Sequence, residues 1–277
     1  MSRASVGALA LLALAAVVAA AGISWSYQRR ADEARILALK ADRLPEDPRL
    51  FAVARAAGAP LYARHCAGCH GADLKGDRDR GVPDMTDEDW LYGGGLMPDL
   101  EQTIRYGVRS GHPMAWNLTV MPAYGSASPH SVDADEKLPH LDDGEISDLA
   151  DYLMKLEAQP FDAAGAVRGR ALFHAKAICF DCHTDSARGD PSTGVPNVHD
   201  RTWLYGDGSK AATVRSIFEG RAGVCPAWID KLGPLGVRQV AAYVKSRSKQ
   251  SPFAIRAEDL TPPLPNEIPP PPPPPEA

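Results

Sequence analysis

Hydrophobic and polar positions divide the chain into stretches of distinct period. Val6 to Ile23 is apolar throughout, 18 residues without a charge, and a helix of that length can cross the hydrocarbon core of a bilayer. Trp25 and Tyr27 follow where interfacial aromatics sit. Residues 29–48 are charged and carry a helical stripe (Ala34, Leu37, Ala38, Ala41) that ends at Pro45 and Pro48. Two later runs, Ile146-Leu149-Ala150-Leu153 and Val237-Val240-Ala241-Val244, have the spacing of amphipathic helices, with Tyr152 and Tyr243 at the same place in each. From Thr261 the sequence reads TPPLPNEIPPPPPPPEA, which cannot bury a core and favours extended polyproline II.

The middle of the chain repeats itself. Gly81-Val-Pro-Asp-Met-Thr-Asp-Glu-Asp-Trp-Leu-Tyr-Gly93 aligns with Gly194-Val-Pro-Asn-Val-His-Asp-Arg-Thr-Trp-Leu-Tyr-Gly206 at an offset of 113 residues. The same offset carries Cys66 onto Cys179, His70 onto His183, Ile104 onto Ile217 and Gly107 onto Gly220. A register held over that distance marks a duplicated domain. Each copy opens with a helical pattern holding a glycine four positions before an aromatic, Gly58 to Tyr62 and Gly169 to Phe173, although Pro60 calls for a first turn or a kink there. Each copy closes with one of the amphipathic runs. A glycine on the opening helix lets the closing helix cross close to it.

Composition narrows the class. With 44% hydrophobic and 23% charged residues the chain is ordinary globular protein, and a net charge of −5 without any Lys/Arg run excludes a nucleic-acid partner. Five cysteines are too few and too clustered for a disulfide scaffold.

Four of them form Cys66-Ala-Gly-Cys69-His70 and Cys179-Phe-Asp-Cys182-His183, the attachment pattern of c-type haem. Two thiols at this spacing reach both vinyl groups of one porphyrin, and the histidine that follows lies under the iron as proximal ligand. One such pentapeptide also fits half of a zinc site. Two, in register within a duplicated domain behind an export segment, predict two covalently bound haem c groups and an all-α chain. For the N-terminus, an uncleaved membrane anchor competes with a signal peptide cleaved after Ala19-Ala20-Ala21; both place the rest outside the cytoplasm.

The sixth iron ligand of small cytochromes c is usually a downstream methionine. Met121, in Val-Met-Pro-Ala-Tyr, is the first copy's candidate, ahead of Met114 and His112; Met97 reads as packing. The second copy has no methionine after Met154; its Val-Cys-Pro-Ala-Trp matches Val-Met-Pro-Ala-Tyr across a gap of nine residues, whereas the ungapped offset of 113 sets Cys225 against His112, and on both alignments Cys225 is the candidate, by thiolate ligation or as a buried free thiol. His65, His130, His140, His174 and His199 read as surface or polar-loop residues.

These motifs together resemble the membrane-anchored dihaem cytochrome c subunit of cbb(3)-type cytochrome c oxidases, over about residues 50 to 248. The resemblance implies two tandem class I cytochrome c domains, an electron-transfer protein rather than an enzyme, and haem–copper oxidase subunits as partners at the bacterial inner membrane, with the haem domains in the periplasm. It also implies Cys66, Cys69, His70 and Met121 around one haem, and Cys179, Cys182 and His183 around the other. The family has methionine at the second axial position, where this chain has Cys225. A cysteine-ligated haem is similar instead to the dihaem thiosulfate dehydrogenases, and a free-standing membrane-tethered shuttle is a third reading. The expected organisation is an anchor or signal over 1–28, a linker over 29–48, cytochrome c domains over 49–159 and 160–250, and a Pro-rich tail over 251–277.

Overall fold

The computed structural model describes residues 3–126 and 137–250, with side chains from residue 12 onward. His130 and the Pro-rich tail lie outside the described residues. Among the described residues the chain is helical without a strand, apart from isolated bridges. Helix α1 runs Arg3–Ala38, α2 Pro48–His65, α3 Ala67–His70, α4 Met97–Tyr106, α5 Asp143–Leu156, α6 Ala163–His174, α7 Cys179–His183, α8 Lys210–Glu219 and α9 Ile229–Lys245.

The helix starts follow local chemistry. Asp47 accepts from the Leu50 amide (2.9 Å) with Pro48 in the first turn, Asp142 and Glu145 form a reciprocal capping box, and Asp162 and Ser209 cap α6 and α8. Helix α2 continues through Pro60, and α9 is kinked at Gly233 (φ 64°). The linker region is not a free stalk. Helix α1 extends to Ala38, a 3-10 turn covers Ala41–Glu46, and Asp32, Ile36 and Leu44 are buried against α2 and α9. Among the described residues no helix is long and apolar enough to cross a membrane.

Two lobes result, and each mixes the two sequence copies. Helix α2 of the first copy packs on α9 of the second, and α4 joins them; α6 of the second packs on α5 of the first, and α8 joins those. The glycine crossings show the exchange directly. A Cβ at Gly58 would collide with the Gln239 carbonyl of α9, and one at Gly169 with the Asp148 carbonyl of α5. One core therefore combines Leu50, Tyr62 and Leu100 with Val240 and Val244; the other combines Ile146, Leu149 and Tyr152 with Phe173 and Ile217.

The chain crosses between lobes at two antiparallel bridges. Val108 exchanges hydrogen bonds with Cys225 (2.9 and 3.0 Å), and Met121 with Arg221 (3.0 and 3.0 Å). The repeated GVP…WLYG element forms the seam. Gly93 N donates to Pro191 O (3.0 Å) and Gly206 N to Arg78 O (3.1 Å), while the Tyr92 ring lies on Gly194 and the Tyr205 ring on Gly81.

Candidate haem sites

Both attachment motifs sit at the end of an opening helix. Cys66 closes α2 through its amide on the Tyr62 carbonyl (2.8 Å), and the single turn of α3 swings His70 inward before Gly71 (φ 74°) ends it. Helix α7 does the same for Cys179, Cys182 and His183, entered at Ile178 (φ 44°) and left at Thr184 (φ 67°). The two motifs open onto one shared cavity of about 500 Å³, lined by both histidines and all five cysteines.

The donor set fits covalently held haem. The Nδ1 of His183 lies 3.1 Å from the Pro196 carbonyl; donating there fixes the tautomer and leaves Nε2 with a free lone pair. Nδ1 of His70 is buried without a partner, and the carbonyl at the matching offset, that of Pro83, belongs to a residue lining the same cavity. Burial holds both imidazoles below the usual histidine range, with the charge of Arg80 adding at His70, so both are neutral as a metal ligand must be. Burial pushes the Cys66 thiol up to about 11 and that of Cys179 to about 12.

The sixth-position candidates are arranged differently from their order in the chain. Met121, expected opposite His70, packs instead into the core that holds Cys179, beside Tyr124, whose hydroxyl donates to the Ala177 carbonyl (2.6 Å). Cys225, expected opposite His183, lies near the first motif. Burial raises its thiol to about 11, and the neighbouring Cys69 adds to the rise. Cys225 in turn raises Cys66 after burial. The cause is the crossing of the chain after α4 and α8, which delivers each sixth-side segment to the other lobe.

The alternatives fall away from the cavity. Met114 is 57% exposed, Met97 is buried in the core of the first lobe, and His112 stacks on Tyr106 (4.6 Å) while its Nδ1 accepts from the Met114 amide. His65 is half-buried against Trp228, and His174 packs on Phe173 and Phe180, so neither is a plain surface residue. His199 donates from Nδ1 to the Ser186 carbonyl (2.9 Å) and from its amide to Asn197 Oδ1 (2.9 Å), and His140 donates from Nδ1 to the Ser126 carbonyl (2.7 Å). Sequence reasoning assigned no role to Tyr92 and Tyr205. Both line the cavity at the seam, and their signal was the repeated Trp-Leu-Tyr-Gly.

The cytochrome c family model matches residues 55–157. The cbb3-type cytochrome c oxidase subunit FixP of Bradyrhizobium sp. is 38% identical over 207 residues, covering 73% of this chain and 64% of that protein. FixP of Azorhizobium caulinodans is 36% identical over 217 residues, covering 78% of this chain and 67% of that one. CcoP of Rhodobacter capsulatus is 33% identical over 230 residues, with 80% and 72% covered. The chain thus spans 64% of the length of the first of these relatives. Attachment motifs, helical lobes and relatives agree on covalently bound haem c, and the chain belongs to the CcoP/FixP family of cbb3-type cytochrome c oxidase subunits.

Proposed function

We propose that the chain carries two haem c groups, one in each lobe, and delivers electrons to a haem–copper oxidase core from the periplasmic side of the bacterial inner membrane. The observation that carries this is the single cavity onto which both attachment motifs open. A bound haem c supplies a one-electron ferric/ferrous iron couple. The chain supplies the rest. Cys66 and Cys69 would hold one haem through thioethers, with His70 and Cys225 as its iron donors, and Cys179 and Cys182 would hold the other, with His183 and Met121 as its iron donors. A thiolate at Cys225 would bring more electron density and a negative charge where Met121 would bring a neutral thioether, which would set the first lobe's haem at the lower potential. Tyr92 and Tyr205 line the seam between the sites.

Helix α1 supports the membrane reading. Leu12, Leu14, Val17, Val18 and Ile23 are each more than half exposed along it, and the 36-residue helix is about 54 Å long. Lipid along Leu12–Ile23 would cover that exposed apolar surface.

Mass spectrometry of the purified chain should find two haem adducts, and salt-washed membranes should retain it. Pull-down from solubilised membranes should recover a haem–copper subunit. One adduct, release by salt, or recovery of soluble proteins alone would each remove the corresponding part of the proposal.

The placement of Cys225 beside the first attachment motif favours a second reading, a thiosulfate-oxidising enzyme whose cysteine-ligated haem meets the substrate. Thiosulfate-dependent reduction of a soluble acceptor by the purified chain decides between them.

A further inference from the structure

We infer that Arg109 is a positioning residue that couples the two haem sites, clasping together the segment that carries Met121 and the segment that carries Cys225. This rests on the reading of those two residues as sixth ligands. The Arg109 guanidinium hydrogen-bonds to three neutral oxygens. Nε donates to the Gly223 carbonyl (2.6 Å), and one terminal nitrogen donates to the Thr119 carbonyl (2.9 Å) and the Tyr92 hydroxyl (3.1 Å). Thr119 stands two residues before Met121, and Gly223 two residues before Cys225. One side chain therefore grips both sixth-side segments at the same relative point.

Three further observations mark Arg109 as built for this. Its backbone lies in the left-handed region (φ 47°), which a non-glycine residue keeps only where the surroundings enforce it. The neighbouring bonds enforce it here: Val108 pairs with Cys225, and the Arg109 amide donates to the Trp116 carbonyl (2.9 Å). Among the described residues no carboxylate forms an ion pair with Arg109, so its half-buried charge is directed at two carbonyls and one hydroxyl. The duplication supplies no second clasp, since the offset of 113 carries Arg109 onto Ala222. A planar guanidinium can hold two carbonyls at fixed angles, whereas an ammonium binds as a point.

The clasp makes one residue answerable for both sites. Removing it loosens both sixth-side segments, which then keep only their backbone bridges, while altering either ligand opens one site only. The test uses the full-length, membrane-purified holoprotein with Arg109→Ala and Arg109→Lys, alongside Met121→Ala and Cys225→Ala. Carbon monoxide binding to the ferrous protein reports an open sixth position, and electron paramagnetic resonance reports the two ferric signals separately. Loss of one charge-assisted hydrogen bond to each segment corresponds to a roughly tenfold rise in the open fraction. The expected result for Arg109→Ala is that rise at both haems together, with both midpoint potentials displaced and haem content unchanged. Arg109→Lys should respond at both haems to a smaller degree, and it carries the test if Arg109→Ala fails to assemble. A response at one haem only, or at neither, overturns the clasp. If Met121→Ala and Cys225→Ala open no site, the ligand reading itself fails and the clasp goes with it.

Discussion

The ring of Tyr62 packs against that of Tyr243, with centroids 5.1 Å apart, joining the opening helix of the first sequence copy to the closing helix of the second. Tyr152 and Phe173 make the reciprocal contact at 5.4 Å. Ending the chain before α9 should therefore damage the lobe of the first attachment motif, although every residue of the first copy remains. Haem-peptide mapping after proteolysis checks this, with protection expected to be lost around Cys66 and Cys69 and kept around Cys179 and Cys182. Loss at the second motif alone would contradict the exchange.

The glycine crossings leave no room for a methyl group. Gly58→Ala should force α2 away from α9, and Gly169→Ala should force α6 away from α5. Overpacking at such a contact costs about 1–3 kcal/mol. Thermal denaturation of each variant should show a lowered midpoint, while Gly68→Ala, where a Cβ meets nothing within 4 Å, should be near neutral.

Arg238 ties α9 to its surroundings through Glu101 (2.6 Å) and the carbonyls of Ile36 (2.7 Å) and Leu39 (2.6 Å). Both partners of the ion pair are buried. Arg238→Ala leaves buried Glu101 with only its longer pairing to Arg105 (3.4 Å) and should cost about 3 kcal/mol, whereas the double change Arg238→Met with Glu101→Gln should recover much of it. Limited proteolysis near Leu39 should quicken in the single variant, because the end of α1 loses its anchor.

Cys225→Met should abolish the ferric signal of narrow g-spread that thiolate ligation gives and raise the lower of the two midpoints. Axial ligation is among the levers that move haem potentials over about 0.8 V, so a rise on the order of a few tenths of a volt is expected. A redox titration followed by absorbance measures it. An unchanged spectrum and potential would show that Cys225 is not a ligand.

Asp89 should give the protein a pH dependence. It is solvent-exposed but lines the cavity, and partial desolvation there, reinforced by the charges of Asp200 and Asp87, pushes its carboxyl up from 3.8 to about 6. The folded state therefore holds this proton more tightly than the unfolded chain does, so stability falls as pH rises from about 4 to about 6 and the loss persists above. Asp89→Asn should raise the melting midpoint at pH 7.5 and leave it unchanged near pH 3.5. The side chain keeps contact with solvent, which limits the gain.

Much of the site was legible in the sequence because it is local chemistry. Two thiols and an imidazole in one pentapeptide are placed by a single helical turn, so Cys66, Cys69 and His70, and likewise Cys179, Cys182 and His183, are grouped before any tertiary contact forms. The helices were legible for the same reason, since period and caps act within a few residues. The duplication showed Met121 and Cys225 as matching candidates.

Which attachment motif each of those candidates lies near was decided only by tertiary structure. The two closing stripes, Ile146 to Leu153 and Val237 to Val244, are alike in pattern, and each carries a tyrosine at the crossing point, so period alone does not choose between them. Long-range polar pairs choose: Lys210 of α8 meets Asp151 of α5 at 2.7 Å, and Arg238 of α9 meets Glu101 of α4 at 2.6 Å. Chain reach then confines the crossing. Arg221 and Cys225 are four positions apart, about 14 Å at full extension, yet one pairs with Met121 and the other with Val108. A link that short holds the two lobes together, and this closeness of two sites, set by partners far apart in sequence, is what no local pattern encodes.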